Sequence, residues 1–271
     1  MHEFEFDKVF APDSSQLMVF EEIEDAVLTC MNGHRVSILA YGQTSSGKTF
    51  TIEGTNDNRG VNYRALSSLF KYAEESVDTS YEFRISCLEI YNENLIDLCR
   101  PNNSETVENL EIRMRKNSEL FVPGLNEEVL HSVEDAEKVL AKARSCRRTA
   151  NNNVNEHSSR SHSVVTLKVI GRNAEGNEMG NGRLHLIDLA GSERLSSTMV
   201  FGKRLDEAKH INQSLSSLGD VISALGSKRQ HVPYRNSKLT FLLQDSLRAN
   251  AKVLMFVNVN PSKESVDESI W

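Results

Sequence analysis

The sequence predicts a single α/β domain, a sheet with helices on both faces, and three observations carry that expectation. Strand-like and helix-like stretches alternate along the whole chain. A glycine-rich loop follows directly on a short apolar run. The 271 residues, 39% hydrophobic and 25% charged, have the composition of an ordinary globular chain, sufficient for one large core or two small ones.

Val36-Ser37-Ile38-Leu39-Ala40-Tyr41 is apolar and stops at Gly42, which predicts an interior strand. Between Val61 and Glu75 the apolar residues Val61, Ala65, Leu66, Leu69, Phe70 and Ala73 fall at helical spacing. Tyr81 to Tyr91 is aromatic and β-branched and reads as strand, whereas Val133 to Arg148 reads as helix. Ser163 to Ile170 is β-rich and halts at Gly171; Leu184 to Leu189 is a further strand closed by Ala190-Gly191. A long helix is expected through Ile211, Leu215, Leu218, Val221, Ile222 and Leu225, stopped at Gly226, with a second capped by Ser237. Val253 to Val257 is expected to be a last buried strand, and 56–60, 101–105 and 173–182 to be surface loops.

Composition excludes several classes. With 14 Gly and 5 Pro the chain is neither collagenous nor of low complexity, and no apolar run approaches the ~20 residues that span a bilayer. The opening Met-His-Glu-Phe-Glu-Phe has neither the basic nor the apolar stretch of a signal peptide. A net charge of −7 argues against non-specific nucleic-acid binding, and no membrane partner is expected. Cys30, Cys87, Cys99 and Cys146 form no C-x-x-C pair and no metal spacing with His, so they read as buried small hydrophobes in a reducing, intracellular compartment.

Three segments carry chemistry. Gly42-Gln43-Thr44-Ser45-Ser46-Gly47-Lys48-Thr49 is a complete G-x-x-x-x-G-K-[ST] phosphate loop, set between a strand and a helix that can begin at Lys48. Its glycines let backbone N–H groups converge on phosphate oxygens; Lys48 would reach the β- and γ-phosphates and the Thr49 hydroxyl would bind Mg²⁺. Asp188-Leu189-Ala190-Gly191 ends a buried strand with a carboxylate suited to a Mg²⁺ site and a glycine N–H suited to the γ-phosphate. Alone, an aspartate at a strand end is often a turn former. Asn155-Glu156-His157-Ser158-Ser159-Arg160-Ser161-His162 alone is a solvated loop; beside the other two segments it reads as a nucleotide-sensing switch.

Together these segments resemble the three nucleotide motifs of the kinesin motor domain, and Phe6-Asp7-Lys8-Val9-Phe10 and His231 through Thr240 resemble two further blocks of that family. Ile211-Asn212-Gln213-Ser214-Leu215, Gly219-Asp220-Val221-Ile222 and Phe256 through Pro261 are most similar to the minus-end-directed, C-terminal-motor kinesins. The resemblance implies a P-loop NTPase fold with a central mixed, mostly parallel sheet flanked by helices on both faces. It implies a microtubule-stimulated ATP hydrolase that takes ATP/ADP and Mg²⁺. Its place would be the cytoplasm, on the microtubule cytoskeleton and the spindle, as a dimer through a coiled coil outside this chain.

Residue by residue, the resemblance assigns nucleotide contacts to Gly42, Gln43, Thr44, Ser45, Ser46, Gly47, Lys48, Thr49 and Phe50. Thr49, Ser159 and Asp188 would hold Mg²⁺, Asp188 through a water. Catalysis would fall to Asn155, Ser158, Ser159, Arg160, Gly191 and Glu193, with an Arg160–Glu193 ion pair closing the site and Glu193 helping to accept the proton from water. The track-binding face would include Lys203, Arg204, Lys228, Arg229, Arg235 and Lys238; residues 200–252 hold nine cations against four acidic residues in an acidic chain.

Departures from the family pattern set further expectations. A first strand carrying Arg-x-Arg-Pro should precede Phe4 and a final helix should continue past Trp271, so the motor domain at 1–271 is expected to be incomplete at both ends. Met199-Val200-Phe201 replaces a small polar stretch, Arg248-Ala249-Asn250 stands where Gly-Gly-Asn is common, and Phe241 stands where relatives carry a cation facing the microtubule. Two rival readings are a nucleotide-binding pseudo-motor or adaptor with little turnover and a P-loop small-molecule kinase. Intact Lys48, Arg160 and Glu193 oppose the first; no recognisable acceptor site or Arg-rich lid supports the second.

Overall fold

The computed structural model describes residues 3–100, 110–116, 119–149, 158–193, 203–248 and 251–270. In chain order the elements are α1 (Gln16–Glu21), α2 (Glu24–Leu28), β1 (Arg35–Tyr41), α3 (Lys48–Ile52), α4 (Val61–Glu75), β2 (Thr79–Tyr91), β3 (Asn94–Asp97), β4 (Arg113–Met114), β5 (Leu120–Phe121) and β6 (Glu128–Leu130). They continue with α5 (Val133–Thr149), β7 (Ser161–Asn173), β8 (Glu178–Asp188), α6 (Lys203–Gly226), α7 (Lys238–Leu242), β9 (Lys252–Val257) and α8 (Val266–Ile270). The predicted loop at 101–105 and the segment Met199-Val200-Phe201 lie outside the described residues.

The main sheet has the order β3-β2-β7-β8-β1-β9, with β6 also beside β2. It is mixed, with β1, β2, β8 and β9 pointing one way and β3, β6 and β7 the other. The parallel pairings are β8–β1 and β1–β9, and the remaining neighbours pair antiparallel. The mostly parallel character expected therefore belongs to the strands around the phosphate loop. Chain length between strands explains the rest, because parallel neighbours need a long crossover. β2 turns into β3 through Asn92 and Glu93 alone, both left-handed (φ +53° and +57°), as a tight hairpin requires. The predicted loop at 173–182 is likewise mostly strand: only 174–177 separate β7 from β8.

Side chains alternate between two cores. Val36, Ile38 and Ala40 of β1 pack with Phe20, Val27, Leu66 and Leu140 from α1, α2, α4 and α5. Leu39 faces the other way, onto Leu218, Val221 and Leu239 of α6 and α7. Helices thus cover both faces, and each fully buried Leu or Ile contributes about 1.5–3 kcal/mol relative to exposure. β9 corrects one expectation: it is an edge strand, with Val253, Met255 and Val257 about 40% exposed (42%, 37% and 41%), since an apolar run alone does not distinguish edge from centre. Cys30, Cys87 and Cys99 are buried free thiols.

Candidate active site

The parallel strands β1 and β8 end side by side, Ala40 opposite Asp188, and the site is assembled at those ends. Leaving β1, the chain passes a bend in which Gly42 (φ +148°), Ser45 (φ +64°) and Gly47 (φ +99°) all take positive φ. Gly42 is obligatory on steric grounds, because a Cβ there would lie 2.1 Å from the Asn258 carbonyl oxygen. That closeness comes from β9, whose register carries Asn258 N–H onto the Tyr41 carbonyl (2.7 Å) while Asn258 Nδ2 donates to Thr51 Oγ1 (3.0 Å). Asn258 therefore buttresses the loop from behind. The loop opens into α3, only five residues long, so the convergence of N–H groups rests on the loop itself more than on a helix end.

Lys48 is 7% exposed and its Nζ donates to the Gln43 carbonyl across the loop (2.7 Å). Burial pulls its pKa down, and the Asp188 and Glu193 carboxylates oppose that shift. Thr49 Oγ1 donates to Asp188 Oδ2 (2.7 Å). Asp188 Oδ1, also buried, has no hydrogen-bond partner, and neither has Ser46 Oγ. A hydroxyl beside an unanswered carboxylate oxygen fits a hard cation that takes most of its ligands from water and phosphate. Consistent with so few protein ligands, no group of three or more His, Cys, Asp or Glu gathers among the described residues. Phe50 is 49% exposed, and its carbonyl accepts from Gln16 Nε2 (2.7 Å).

The two switch segments meet through their backbones. Ser158–Arg160 forms a 3₁₀ turn before β7, and the Ser159 carbonyl accepts the Gly191 N–H (2.8 Å). The Gly191 N–H expected to face a phosphate is thus engaged with the other switch in this structure. Glu193 caps the loop instead of pairing with Arg160: it accepts from Thr44 N–H (2.8 Å) and from Thr44 Oγ1. Arg160 binds Glu207 of α6 (2.9 Å), whose other oxygen accepts from Tyr91 OH (2.6 Å). Burial and that carboxylate push the Tyr91 phenol up to about 12. The Arg160–Glu193 pair is therefore not formed in this structure, because each partner has a nearer one. Asn155 lies outside the described residues, as do the side chains of Lys203 and Arg204.

Arg147 of α5 was not anticipated. It is 7% exposed and reaches Glu89 (3.3 Å), Asp188 Oδ2 (3.3 Å), and the carbonyls of Ser158 and Ser161 (both 3.1 Å). One guanidinium thus ties β2, β8 and the Ser158–Arg160 turn, supplying counter-charge to two buried carboxylates. A signal for it exists in the sequence: Ala136, Leu140, Ala143 and Arg147 share one helical stripe, so the arginine sits on an apolar face.

Of the expected track-facing cations, Lys228, Arg229 and Arg235 are exposed and Lys238 is half-buried. The 3₁₀ turn Tyr234–Asn236 is tied to α6 by Gln213 Nε2, which donates to the Asn236 carbonyl (3.2 Å). Phe241 departs from expectation. It is half-buried against the α6–α7 core, with the Arg235 guanidinium 5.6 Å from its ring centre, so it is a packing residue more than an exposed ring.

A phosphate loop braced by a parallel neighbour, an aspartate at the end of the next strand and two backbone-linked switch segments define the P-loop nucleoside triphosphatase class. Within that class the chain belongs to the kinesin motor domain family, whose model matches residues 1–271. Members of that family are nucleotide-binding ATPases that bind microtubules. The chain is 48% identical over 268 residues to the kinesin-like protein KIN-14E of Oryza sativa subsp. japonica and 47% identical over 268 residues to KIN-14R of Arabidopsis thaliana, covering 98% of this chain in each case. It spans only about a quarter (25%) of the length of those relatives. Among solved structures, the motor domain of Saccharomyces cerevisiae Kar3 superposes with a TM-score of 0.87 at 41% identity, covering 99% of this chain and 82% of that one. A C-terminal motor and motor homology domain of Kar3Vik1, fused to a synthetic heterodimeric coiled coil, superposes with a TM-score of 0.89 at 42% identity over 99% of this chain and 70% of that one.

Proposed function

We propose that the protein hydrolyses ATP with Mg²⁺ and couples hydrolysis to microtubule binding and movement, as a dimer through a coiled coil outside residues 1–271, on cytoplasmic and spindle microtubules. The observation that supports this most is the meeting at the end of β1 of three segments far apart in sequence: the loop at 42–49, the turn at 158–160 and the segment 188–193. In this reading the loop backbone from Gly42 to Thr49 and Lys48 bind the phosphates. Thr49, Ser159 and, through a water, Asp188 would hold Mg²⁺, which when bound neutralises charge between the transferred and leaving phosphates.

The chain's own residues then do the positioning. Arg160 exchanges Glu207 for Glu193, which requires Glu193 to leave Thr44. Ser158, with Asn155 from the same segment, orients the attacking water, and Glu193 accepts its proton through a second water. Gly191 N–H leaves the Ser159 carbonyl for the γ-phosphate. Phosphoryl transfer depends chiefly on such positioning and charge stabilisation. Because Glu207 belongs to α6, the exchange links the chemistry to the helix that precedes Lys228, Arg229, Arg235 and Lys238, and with Lys203 and Arg204 these form the proposed basic track face.

Co-sedimentation with microtubules and ATPase rates test this together. The chain should pellet with microtubules in a salt-sensitive way and show a stimulated rate. Lys48→Ala should lose about 100-fold or more in turnover while its circular dichroism is unchanged. Turnover retained in the folded variant removes the phosphate-loop assignment, and no pelleting at any salt removes the track.

A further inference from the structure

His162 is the second residue of β7, two residues after Arg160, and has no part in the reading above. It is 3% exposed, and its ring nitrogens have different partners: Ala190 N–H points at Nδ1 (3.0 Å) and Ser214 Oγ of α6 lies 2.7 Å from Nε2. An amide N–H only donates, so Nδ1 is the acceptor and the neutral ring carries its proton on Nε2. That proton is directed at Ser214 Oγ, and the Ser214 hydroxyl in turn donates to the Ile211 carbonyl (2.7 Å). The direction of the whole chain is thereby fixed, from Ala190 through His162 and Ser214 to the backbone of α6. Burial, with the Arg147 and Lys48 cations nearby, lowers the ring's pKa to about 3, so the ring stays neutral at physiological pH.

We infer that His162 is a positioning residue that ties α6 to the segment 188–191, so that displacement of α6 is transmitted to Ala190 and Gly191 by a buried hydrogen-bond relay. Ala190 is fully buried, next to the Gly191 N–H that donates to the Ser159 carbonyl, and two residues from Asp188. If α6 moved by an ångström alone, the 2.7 Å contact would pass beyond hydrogen-bond range and strand a buried donor. Such a donor costs about five- to 150-fold in population, a typical strength for coupling between sites. The ring and the Ala190 peptide therefore follow the helix. The relay is separate from the Arg160–Glu207 contact, which engages α6 nearer its start. It rests on the motor reading only for what displaces α6.

The test separates the relay from a histidine that merely fills the core. Ser214→Ala removes the acceptor without lowering helix propensity. Its basal ATPase and microtubule affinity should stay within about twofold of wild type, while microtubule-stimulated kcat falls about tenfold. His162→Asn keeps an oxygen for Ala190 but is too short to reach Ser214; its stimulated kcat should fall equally, and the double variant should lose no more than either single. Ring ¹⁵N shifts of the wild-type chain should report the Nε2–H tautomer. The inference is overturned by an Nδ1–H tautomer, by full stimulation in folded Ser214→Ala, or by losses that multiply in the double variant. If Ser214→Ala does not fold, His162→Asn and the wild-type tautomer decide. A wild-type chain with no microtubule stimulation would instead overturn the motor reading, and the tautomer would still be decided by its own measurement.

Discussion

The nucleotide end of the sheet and the basic segment beyond α6 are built on opposite plans. At the nucleotide end the charges are buried, Lys48, Glu89, Arg147 and Asp188 being 7%, 0%, 7% and 3% exposed, and Arg147 bonds both carboxylates. Beyond α6, Lys228, Arg229 and Arg235 stand in solvent. The turn there is closed by backbone alone, Lys228 N–H donating to the Leu225 carbonyl and Arg229 N–H to the Ala224 carbonyl, with Lys228 itself left-handed (φ +51°) just past the expected stop at Gly226. The difference follows from the two tasks. Bond-making chemistry needs groups fixed to a fraction of an ångström, which burial supplies. Attraction to an acidic surface needs only accessible charge, and it acts mainly on the rate of encounter.

That contrast can be broken first at Arg147. Arg147→Ala removes the guanidinium that bonds both Glu89 and Asp188, and losing one partner of a buried ionic network costs about 3–5 kcal/mol. Denaturant unfolding should show that loss, and a variant as stable as wild type would mean that the buried network is not the frame of the site. Acid is the next probe. His162 and His185 are both buried with pKa values lowered to about 3, from an unfolded value near 6.5. Their contribution is complete above about pH 6.5, and below it the unfolded chain binds protons that the folded chain refuses. Stability should therefore fall as the pH drops below about 6.5, by on the order of 1 kcal/mol per pH unit for each group once the unfolded imidazoles are mostly charged. Urea midpoints at pH 7, 6 and 5 measure it.

A smaller effect is expected at Glu207. Glu207→Gln weakens the hold on Arg160 and should raise basal turnover a few-fold, about 1 kcal/mol, by favouring the exchange to Glu193. An unchanged basal rate would show that this contact does not restrain the switch. The smallest changes belong to the exposed cations. Lys228→Ala and Arg229→Ala should each weaken microtubule binding by less than about tenfold, more at low salt than high, with no change in melting temperature. Phe241→Arg sharpens the comparison from the other side. The ring is half-buried against the core, so the variant should lose stability, seen as a lower melting temperature, before it gains any affinity.

What was legible in the sequence was contiguous in it. The phosphate loop, the 188–191 segment and the Ser158–Arg160 turn each announce themselves as short strings, because one local backbone shape must hold several groups at once. The strand and helix at Val36–Tyr41 and Val61–Glu75 were equally plain from apolar spacing. Arg147, Glu89, Tyr91, Glu207 and Asn258 were not, since each acts through one side chain brought in from another element. Their only local signature is a polar group among apolar neighbours, as Glu89 is between Leu88 and Ile90. The state of the switches was hidden for another reason. A sequence records that Arg160 and Glu193 can pair, but not which of two carboxylates, Glu193 or Glu207, holds the arginine.

The contact between Gly191 and Ser159 has a consequence for mutagenesis. Both halves of that bond, an N–H and a carbonyl, belong to the main chain, so no side-chain exchange removes it cleanly. Gly191→Ala is no neutral probe either, because the added methyl would fall 2.3 Å from a Glu193 oxygen and 2.5 Å from Thr44 Oγ1. An alanine scan across this region would record a steric collision at Gly191 and, at Ser159, only the loss of its side chain, so the backbone joint between the switches would escape notice. Replacing the amide between Ala190 and Gly191 by an ester deletes the donor while leaving every side chain and its volume in place. That single-atom edit is the experiment by which this joint becomes visible.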